Sequence, residues 1–384
     1  MKIAVIQDRP ILCYDGEYYL MNPVDVEKYL RLCDQLIYCA SADYCNNGDK
    51  IKRATKIDTS RVKIKLVRKE PLREFLVPSL HNKSIVKDII NDNSVDTIVI
   101  KVPSITIGRV AYSLLQKSDK KYVLEVIGCA WDSYWHHGIK GKLMSVFSYL
   151  TCKRMVANSK NVIYVTSGFL QKRYPNKYHT IGCSNVFIQQ PSEDDLLRRM
   201  ARIQSGDMPG SILRIGTAGA IDVRYKGQQY VIKAVSRLKK QGRIVHYYLA
   251  GAGSKEYLEG LAKRLGVINQ IHFLGMIPKK EMDLFYDNLD IYVHPSMAEG
   301  LPRVVIEAER KAVPTIGAKA SGTPELLDPD CVFRIRNVND ICAVLLSFDK
   351  DKLMRVSTNN FNRAAQYAID VLDSRRRSFF NSLI

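Results

Sequence analysis

Short apolar runs rich in valine and isoleucine recur along the chain, with stretches of helical periodicity between them. This alternation is typical of α/β proteins, whose parallel strands are covered on both faces by crossover helices. In the first half, the pattern predicts strands at residues 3–6, 36–39, 62–67, 97–100, 122–126 and 162–165.

The pattern breaks at about residues 182–210 and then restarts. A polar, helical segment at 192–202 ends there in the turn-forming sequence SGDMPG. Beyond it, we predict strands at 212–217, 245–250, 271–274, 291–294 and 315–317, alternating with helices at 227–240, 255–265, 279–288 and 302–311. The sequence therefore predicts two domains, 1–190 and 191–365, with a C-terminal helix at about 366–384 that packs back on the first.

Length and composition agree with two folded domains. At about 150 residues per domain, 384 residues favour two, and 46% apolar residues are enough for a core in each. No apolar run approaches the ~20 residues of a membrane-spanning helix. The N-terminus reaches charged residues too early for a signal peptide, so we expect a cytoplasmic protein. Nine cysteines without C-x-x-C spacing favour free thiols over disulfides or a zinc site.

The net charge of +19 indicates an anionic partner. Residues 1–190 hold 29 Lys and Arg against 17 Asp and Glu, a balance of +12 that leaves +7 for the rest. Nucleic acid, an anionic membrane and phosphorylated substrates all suit such a charge. The sequence has no zinc-finger spacing, RNP-like aromatic strand or basic low-complexity tail, so we expect no nucleic acid.

The densest motif is HPSMAEGLPRVVIEA at residues 294–308, directly after a predicted strand. Ligands of open α/β sheets bind at such strand ends. Pro302 suits the first turn of the following helix. The amides of Gly300, Leu301 and Arg303 then point out of the helix start with the positive end of its dipole, which is a geometry that holds phosphate.

Two acidic side chains frame this helix start. Glu299, in the loop, is placed to accept hydrogen bonds from sugar hydroxyls, and Glu307, on the helix, is placed to accept them from a ribose diol. The alternative for an acidic residue at a helix start is a capping or dipole partner.

The motif resembles the E-x7-E motif of the retaining GT-B glycosyltransferases of family 4 (glycosyl transferases group 1), which include bacterial cell-surface polysaccharide enzymes. In that family the first Glu contacts the donor sugar and the second contacts the ribose. The segment SGTPELL at 321–327 resembles the family's G-G-x-P-E-L loop, with Ser321 replacing the first glycine. The resemblance implies two Rossmann-like, doubly wound domains that face each other across a cleft.

A second match covers GTAGAIDVRYKG at 216–227. In the family, this loop carries a basic residue, here Lys226, that neutralises the donor diphosphate, and the next helix opens on Gly227. Many members have an Arg where this chain has Ala220, so we expect Arg224 to supply the second charge. The glycine loops that contain Gly251, Gly275 and Ile277 resemble the family's remaining donor loops, and the last lies where the base usually stacks.

The first domain is where such enzymes hold the acceptor. Asp15 and Gly16 are expected either to line that site or to form an ordinary turn. Relatives often have a functional His near the strand end at 126, for which Asp132, His136 or His137 is a candidate substitute. The stretch 140–160 mixes apolar and basic residues at helical spacing, which fits either an anionic membrane surface or a helix packed on its own sheet with a basic outer face.

The expected reaction is transfer of a hexose-type sugar, with retention, from a nucleoside diphosphate sugar to an acceptor hydroxyl. We expect Glu299 and Lys226 to be the catalytic residues, a UDP-sugar in preference to a GDP-sugar, and neither cofactor nor metal, since the D-x-D at 328–330 is typical of a turn. The charge favours a lipid-linked or phosphorylated glycan acceptor, with the enzyme peripheral at the inner face of the membrane. A nucleotide-sugar epimerase of GT-B shape and a non-catalytic nucleotide- or nucleic-acid-binding module remain as alternatives.

Overall fold

The computed structural model describes residues 1–45, 51–68, 80–135, 138–208 and 212–383. Contacts divide the chain into two compact units. The first comprises Met1–Asn185 and Leu372–Ile384, and the second comprises Val186–Val371. The division falls a few residues before the predicted boundary at 190, and the segment that returns to the first unit begins at Leu372 rather than at about 366.

The first unit is built around a parallel sheet. Its helices are α1 (Val24–Leu30), α2 (Leu80–Asn91), α3 (Ile107–Leu115), α4 (Ala130–Trp135), α5 (Gly138–Ala157) and α6 (Phe169–Arg173). Its strands are β1 (Lys2–Ile6), β2 (Ile11–Tyr14), β3 (Glu17–Leu20), β4 (Gln35–Tyr44), β5 (Thr55–Lys56), β6 (Val62–Val67), β7 (Thr97–Val102), β8 (Tyr122–Val126), β9 (Asn161–Tyr164) and β10 (His179–Gly182).

Strands β6-β4-β1-β7-β8-β9-β10 run parallel in that order, so the chain reverses its direction of travel across the sheet at β1. This is the doubly wound arrangement. Strand β1 is central because Ile3, Ala4, Val5 and Ile6 are apolar and fully buried between the two helical layers. Each of the six strands predicted in the first half overlaps one of these strands.

A β-hairpin that the sequence analysis did not predict extends the far end of β4. Strands β2 and β3 pair antiparallel, and β2 runs parallel to β4 with Ile11 opposite Ala42. Asp15 and Gly16 form the two-residue connection, with φ of 50° and 74°. Asp-Gly favours such a turn because both central residues need positive φ. Asp15 and Gly16 therefore form a turn, which was one of the two alternatives predicted for them, and their acceptor role stays a prediction.

The carboxylate of Asp8, directly after β1, caps the start of α3. It accepts hydrogen bonds from the Ser104 hydroxyl at 2.7 Å and from the backbone N–H groups of Ile105, Thr106 and Ile107 at 3.0–3.3 Å. These amides would have no partner within the helix, so a carboxylate here stabilises the helix start.

The second unit contains a second, smaller parallel sheet. Its strands are β11 (Ile212–Ala218), β12 (Ile244–Ala250), β13 (Ile271–Gly275), β14 (Ile291–His294), β15 (Thr315–Ala318) and β16 (Val332–Phe333), and its helices are α7 (Glu193–Gln204), α8 (Gln228–Lys240), α9 (Glu256–Arg264), α10 (Met282–Asp287), α11 (Arg303–Arg310), α12 (Val338–Leu346) and α13 (Lys350–Ala365). The strand order is β13-β12-β11-β14-β15-β16, which is the Rossmann order with its switch point between β11 and β14.

The last helix, α14 (Ile369–Asn381), belongs to the first unit from Leu372 onwards. Asp373 forms an ion pair with Arg31, and the Arg376 guanidinium donates to the Ser184 carbonyl oxygen at 3.0 Å. The Phe380 ring lies edge-on to Tyr29, with 6.5 Å between ring centroids. The helical tail thus packs through its Phe379-Phe380 face, as the sequence predicts.

Helix α5 overlaps the helix predicted at 140–160, and its outside is not only basic. Its buried residues include Gly141, Ser145, Ser148 and Cys152, whereas its outward face carries leucine, isoleucine and valine beside exposed lysine and arginine. The aliphatic part of that face was not predicted. Among the described helices, none combines the length and apolar character needed to cross a membrane. The nine cysteines are free thiols, all buried apart from the half-buried Cys45.

Candidate donor site

The candidate site lies in the second unit, where β11 and β14 end side by side. The strands are parallel neighbours, so the loop after β11 (219–227) and the loop after β14 (295–302) leave from the same edge of the sheet. The Met297 N–H donates to the Tyr225 carbonyl oxygen at 2.8 Å and joins the two loops directly.

An ion pair between Lys226 and Glu299 occupies this edge. The Lys226 ammonium donates to Glu299 Oε1 at 2.5 Å, and the two side chains are only 23% and 20% exposed. The structure thus brings together the two residues predicted as catalytic, although they are 73 positions apart in the sequence. Partial burial strengthens such a pair relative to an exposed one.

Burial disfavours the charged form of Glu299, but its interactions with His294 and Lys226 outweigh burial, and the pKa of the carboxyl is lowered from its ordinary value. Burial also lowers the pKa of His294 to about 4, with Glu299 opposing that shift and Lys226 reinforcing it. His294 is therefore neutral at pH 7, and the Lys226 ammonium is the charge that keeps Glu299 ionised.

Two glycines let the loops of the site approach each other closely. Gly227 has φ of 79°, and a Cβ there would lie 2.1 Å from the Pro295 carbonyl oxygen. A Cβ on Gly251 would lie 1.9 Å from the carbonyl oxygen of Gly219. Only glycine fits at either position. Close backbone contact therefore explains the glycine after Lys226 and the first glycine of the sequence GAG at 251–253.

Helix α11 starts at Arg303, and Pro302 precedes it in an extended conformation as the N-cap. Pro302 was predicted in the first helical turn, so the helix begins one residue later than expected. Pro302 offers no side-chain acceptor, and its carbonyl oxygen accepts a hydrogen bond from the Val305 N–H at 3.2 Å. A phosphate role for the amides of Gly300, Leu301 and Arg303 stays a prediction.

The SGTPELL loop contacts the same turn. The Gly322 N–H donates to the Gly300 carbonyl oxygen at 3.2 Å, and the Glu299 N–H donates to Ser321 Oγ at 3.4 Å. Ser321 has φ of 48°, a left-handed conformation that glycine adopts most easily. This conformation explains why glycine is expected at position 321, and the contact with Glu299 is one that a glycine lacks.

Glu307 lies half-buried on α11. Its Oε2 accepts a hydrogen bond from the Tyr286 hydroxyl at 3.2 Å, which fixes the carboxylate and leaves it further lone pairs. Neither Tyr286 nor Ser321 was predicted as part of the site, because the partner of a side chain is not encoded in the spacing of a motif.

Three other residues predicted to bind the donor lie farther from the Lys226–Glu299 pair or have other partners. Arg224 is exposed, and its guanidinium lies over the Tyr257 ring at 3.1 Å from the centroid, so a diphosphate role for it stays a prediction. Gly275 ends β13 with φ of 67° and accepts a hydrogen bond from the Gly251 N–H at 2.7 Å. Ile277 lines a cavity of about 560 Å³ that reaches Arg214, near the start of β11.

The acceptor-side predictions all fall in the first unit. Asp15 and Gly16 form the hairpin turn, and Asp132 is half-buried in the first turn of α4. His136 and His137 lie outside the described residues. The structure therefore brings Lys226 and Glu299 together, and the roles of the predicted donor and acceptor residues stay predictions.

Two doubly wound sheets, one with a charged pair and a helix start at its switch point, define a two-domain α/β protein of Rossmann-like architecture. Residues 216–362 match the family described as glycosyl transferases group 1. The chain is 30% identical over 344 residues to protein CapJ of Staphylococcus aureus, covering 88% of this chain and 84% of that protein. The chain belongs to the glycosyl transferases group 1 family.

Other relatives agree with this family. The chain is 24% identical over 228 residues to the O-antigen biosynthesis glycosyltransferase WclY of Escherichia coli, covering 58% of this chain and 60% of that protein. The structure of Anabaena Alr3699/HepE, solved in complex with UDP, superposes with a TM-score of 0.70 at 18% identity over the whole of both chains. The fold is therefore GT-B, and the protein is a glycosyltransferase.

Proposed function

We propose that this enzyme is a retaining, family 4 glycosyltransferase that moves a hexose-type sugar from a nucleoside diphosphate sugar to a hydroxyl of a glycan acceptor. The observation that carries the proposal is the Lys226–Glu299 pair beside the start of α11. Family membership favours transfer over the epimerase and non-catalytic alternatives.

The pair suits a diphosphate leaving group. A lysine ammonium has three N–H donors, so Lys226 can hold Glu299 with one and phosphate oxygens with the others. Negative charge builds on the diphosphate as the glycosidic bond breaks, and the ammonium together with the amides of α11 would stabilise it. Glu299 would accept hydrogen bonds from sugar hydroxyls and Glu307 from the ribose.

We further propose that this chemistry needs no metal. The D-x-D carboxylates of Asp328 and Asp330 are engaged by basic side chains of α13: Arg355 contacts both, Arg363 contacts Asp328, and Lys352 contacts Asp330. These contacts support a structural role for the turn. The diphosphate charge would then fall to Lys226 and the helix start.

A UDP-sugar is the proposed donor, because structures with this fold have been solved with UDP and with UDP-glucose. The acceptor is proposed to be a lipid-linked or phosphorylated glycan of a cell-surface polysaccharide, since one relative is named for O-antigen biosynthesis. Such an acceptor would place the enzyme at the cytoplasmic face of the membrane.

The test is UDP release from UDP-sugars with an extracted glycan acceptor, in buffer that contains EDTA. We expect Lys226→Ala and Glu299→Gln each to lower kcat by about a hundredfold or more, because each removes charge stabilisation from the transition state. Lys263→Ala and Glu259→Gln, which break an exposed ion pair on α9, are the matched controls and should turn over like the parent.

Turnover close to that of the parent in either site variant would exclude the assigned roles, and dependence on added divalent metal would exclude the metal-free mechanism. Thermal denaturation with UDP or GDP adds a readout that needs no acceptor. A bound nucleotide raises the melting temperature with its concentration, and we expect UDP to act at lower concentration than GDP.

A further inference from the structure

Helix α5 exposes a row of aliphatic side chains, which an ordinary surface helix would pack inward. Its packed face is made largely of small or polar residues, namely Gly141, Ser145, Ser148 and Cys152, together with Met155 and Val156 towards its end. Its outward face carries Ile139, Leu143, Val146 and Leu150, which are 81%, 72%, 43% and 58% exposed. A helix that only covers its own sheet places such residues inward.

The four exposed residues form one continuous stripe. At about 100° per residue they fall within an arc of about 60° and extend for about 16 Å along the helix axis. The packed residues Gly141, Ser148 and Cys152 lie on the opposite side of the same helix. We define Ile139, Leu143, Val146 and Leu150 as the apolar stripe.

Basic residues flank the apolar stripe on both sides. On the helical wheel, Lys142 and Lys153 fall along one edge, and Lys140 and Arg154 fall along the other; all four are exposed. No Asp or Glu occurs between Asp132 and Glu193, a stretch that holds eight Lys and Arg residues. The region around the stripe is therefore positively charged without local compensation.

An aromatic residue adjoins the basic edge. Trp135, at the end of α4, is 37% exposed, and the Lys142 ammonium lies 5.3 Å from the centroid of its ring. Indole rings favour the boundary between water and lipid, because they combine an apolar body with one N–H donor.

We propose that the apolar stripe and its basic edges dock on an anionic lipid surface. Insertion of the four aliphatic side chains would bury apolar area, and the flanking ammonium and guanidinium groups would contact lipid phosphates, which together give the two signals that stable surface attachment needs. A second copy of the chain is a poorer occupant, because pairing two such faces brings like charges together. The inference does not rest on the proposed donor chemistry.

The chain offers a direct probe of this surface. Its two tryptophans, Trp131 and Trp135, stack with 4.7 Å between ring centroids beside α5. We therefore expect the intrinsic tryptophan emission of the full chain to shift to shorter wavelength on addition of phosphatidylcholine vesicles that contain phosphatidylglycerol. Vesicles of phosphatidylcholine alone should produce little shift, and added salt should weaken binding to the anionic vesicles.

Two pairs of variants test the two parts of the surface. Leu143→Glu should weaken vesicle binding by about tenfold or more, because a charge replaces a leucine that would insert into the lipid, and its control is Leu197→Glu at a 64% exposed position of α7. Lys142→Ala with Lys153→Ala should reduce the preference for anionic lipid, and its control is Lys233→Ala with Lys240→Ala on α8.

Equal binding to neutral and anionic vesicles, or unchanged binding by Leu143→Glu, would overturn the proposal. If sedimentation shows the parent to self-associate, and Leu143→Glu abolishes that association while no vesicle binds, the stripe is a contact between copies and the lipid assignment is wrong. UDP stabilisation of Leu143→Glu should match that of the parent, so failure of lipid binding and failure of the donor proposal are separately visible.

Discussion

At the scale of single residues, His294 is the least expected member of the donor site. It ends β14 beneath Glu299, with its Nε2 3.8 Å from Glu299 Oε1, too far for a hydrogen bond. Within the described part of the chain, neither ring nitrogen has a hydrogen-bond partner. Burial lowers the pKa of this imidazole, the nearby Glu299 carboxylate opposes that shift, and the Lys226 ammonium adds to it, so the ring is held neutral at pH 7.

This burial predicts a pH dependence of stability. The folded protein keeps His294 unprotonated down to about pH 4, whereas an unfolded chain protonates it near 6.5. The unfolded state thus binds more protons between these values, so the free energy of unfolding falls as the pH drops from 6.5 towards 4, by about 3 kcal/mol at most. Urea denaturation across this range measures the decrease.

The variant His294→Phe removes the titrating group. We expect a smaller decrease in stability on acidification and, at pH 7, a stability within about 1.5 kcal/mol of the parent, because an apolar ring of similar shape replaces unpaired polar atoms. His81→Phe, at an exposed position of α2, should keep the full decrease. Identical pH profiles for the parent and His294→Phe would contradict the buried, neutral histidine.

At the scale of elements, the loop between β11 and α8 is tightly constrained. Gly227 begins α8 from a left-handed conformation while facing the Pro295 carbonyl oxygen of the neighbouring loop. Gly242, after the same helix, has nearly the same φ of 78°, but a Cβ there would have no described atom within 4 Å apart from those of its chain neighbours. A comparison of substitutions at the two glycines therefore separates the cost of positive φ from the cost of a clash with Pro295.

We expect Gly242→Ala to cost about 1 kcal/mol of stability through positive φ alone. Gly227→Ala should cost clearly more, because its Cβ would also collide with Pro295 and push the two donor loops apart. It should also weaken UDP binding, whereas Gly242→Ala should not. Chemical denaturation and nucleotide titration of both variants check this, and equal losses in the two would show that the contact is unimportant.

The sequence predicted elements best where a strand is buried on both faces. The continuous apolar runs of β1 and β14 are typical of parallel strands that are covered on both faces. The hairpin was missed because half-buried tyrosines at 18 and 19 interrupt any apolar run. The outward aliphatic face of α5 was not predicted, because helical spacing indicates that a helix has two faces without indicating which face packs. In the structure, the packed face contains the small residues at 141, 145 and 148.

The donor motifs were predictable because they are contiguous around strand ends, and parallel strands gather their carboxyl ends at one edge. Their side-chain partners were not predictable. The Tyr286 hydroxyl donates to Glu307, which lies 21 residues away in the sequence. The Arg224 guanidinium lies over the Tyr257 ring. Such contacts depend on packing that a single sequence does not specify.

At the scale of the whole molecule, the chain does not finish where its second domain finishes. The residues from Leu372 onwards complete the core of the first unit, with Phe379 and Phe380 buried and Asp373 paired with Arg31. A segment that follows the second unit in the sequence therefore packs into the first unit.

This packing predicts a selective effect of Phe380→Ala. Loss of the ring leaves a cavity against Tyr29, at a cost of about 3–5 kcal/mol. Hydrogen exchange should accelerate in β1 and β8 of the first unit, whereas β11 and β14 should stay protected. Phe348→Ala, which removes a buried ring of the second unit, should give the reverse pattern. Equal acceleration in both sheets would contradict two separable units.

The aspartate that follows β1 has a consequence for where a phosphorylated ligand can bind. At the start of α3, Asp8 already supplies the negative charge that the exposed amides attract. A phosphate arriving there would meet a carboxylate that already accepts these hydrogen bonds, with no lysine among the described residues that donate to it. At the proposed donor site the carboxylate of Glu299 is paired with Lys226 instead. The same arrangement of strand and helix can therefore favour different ligands in the two domains, according to how the charge beside the helix start is compensated.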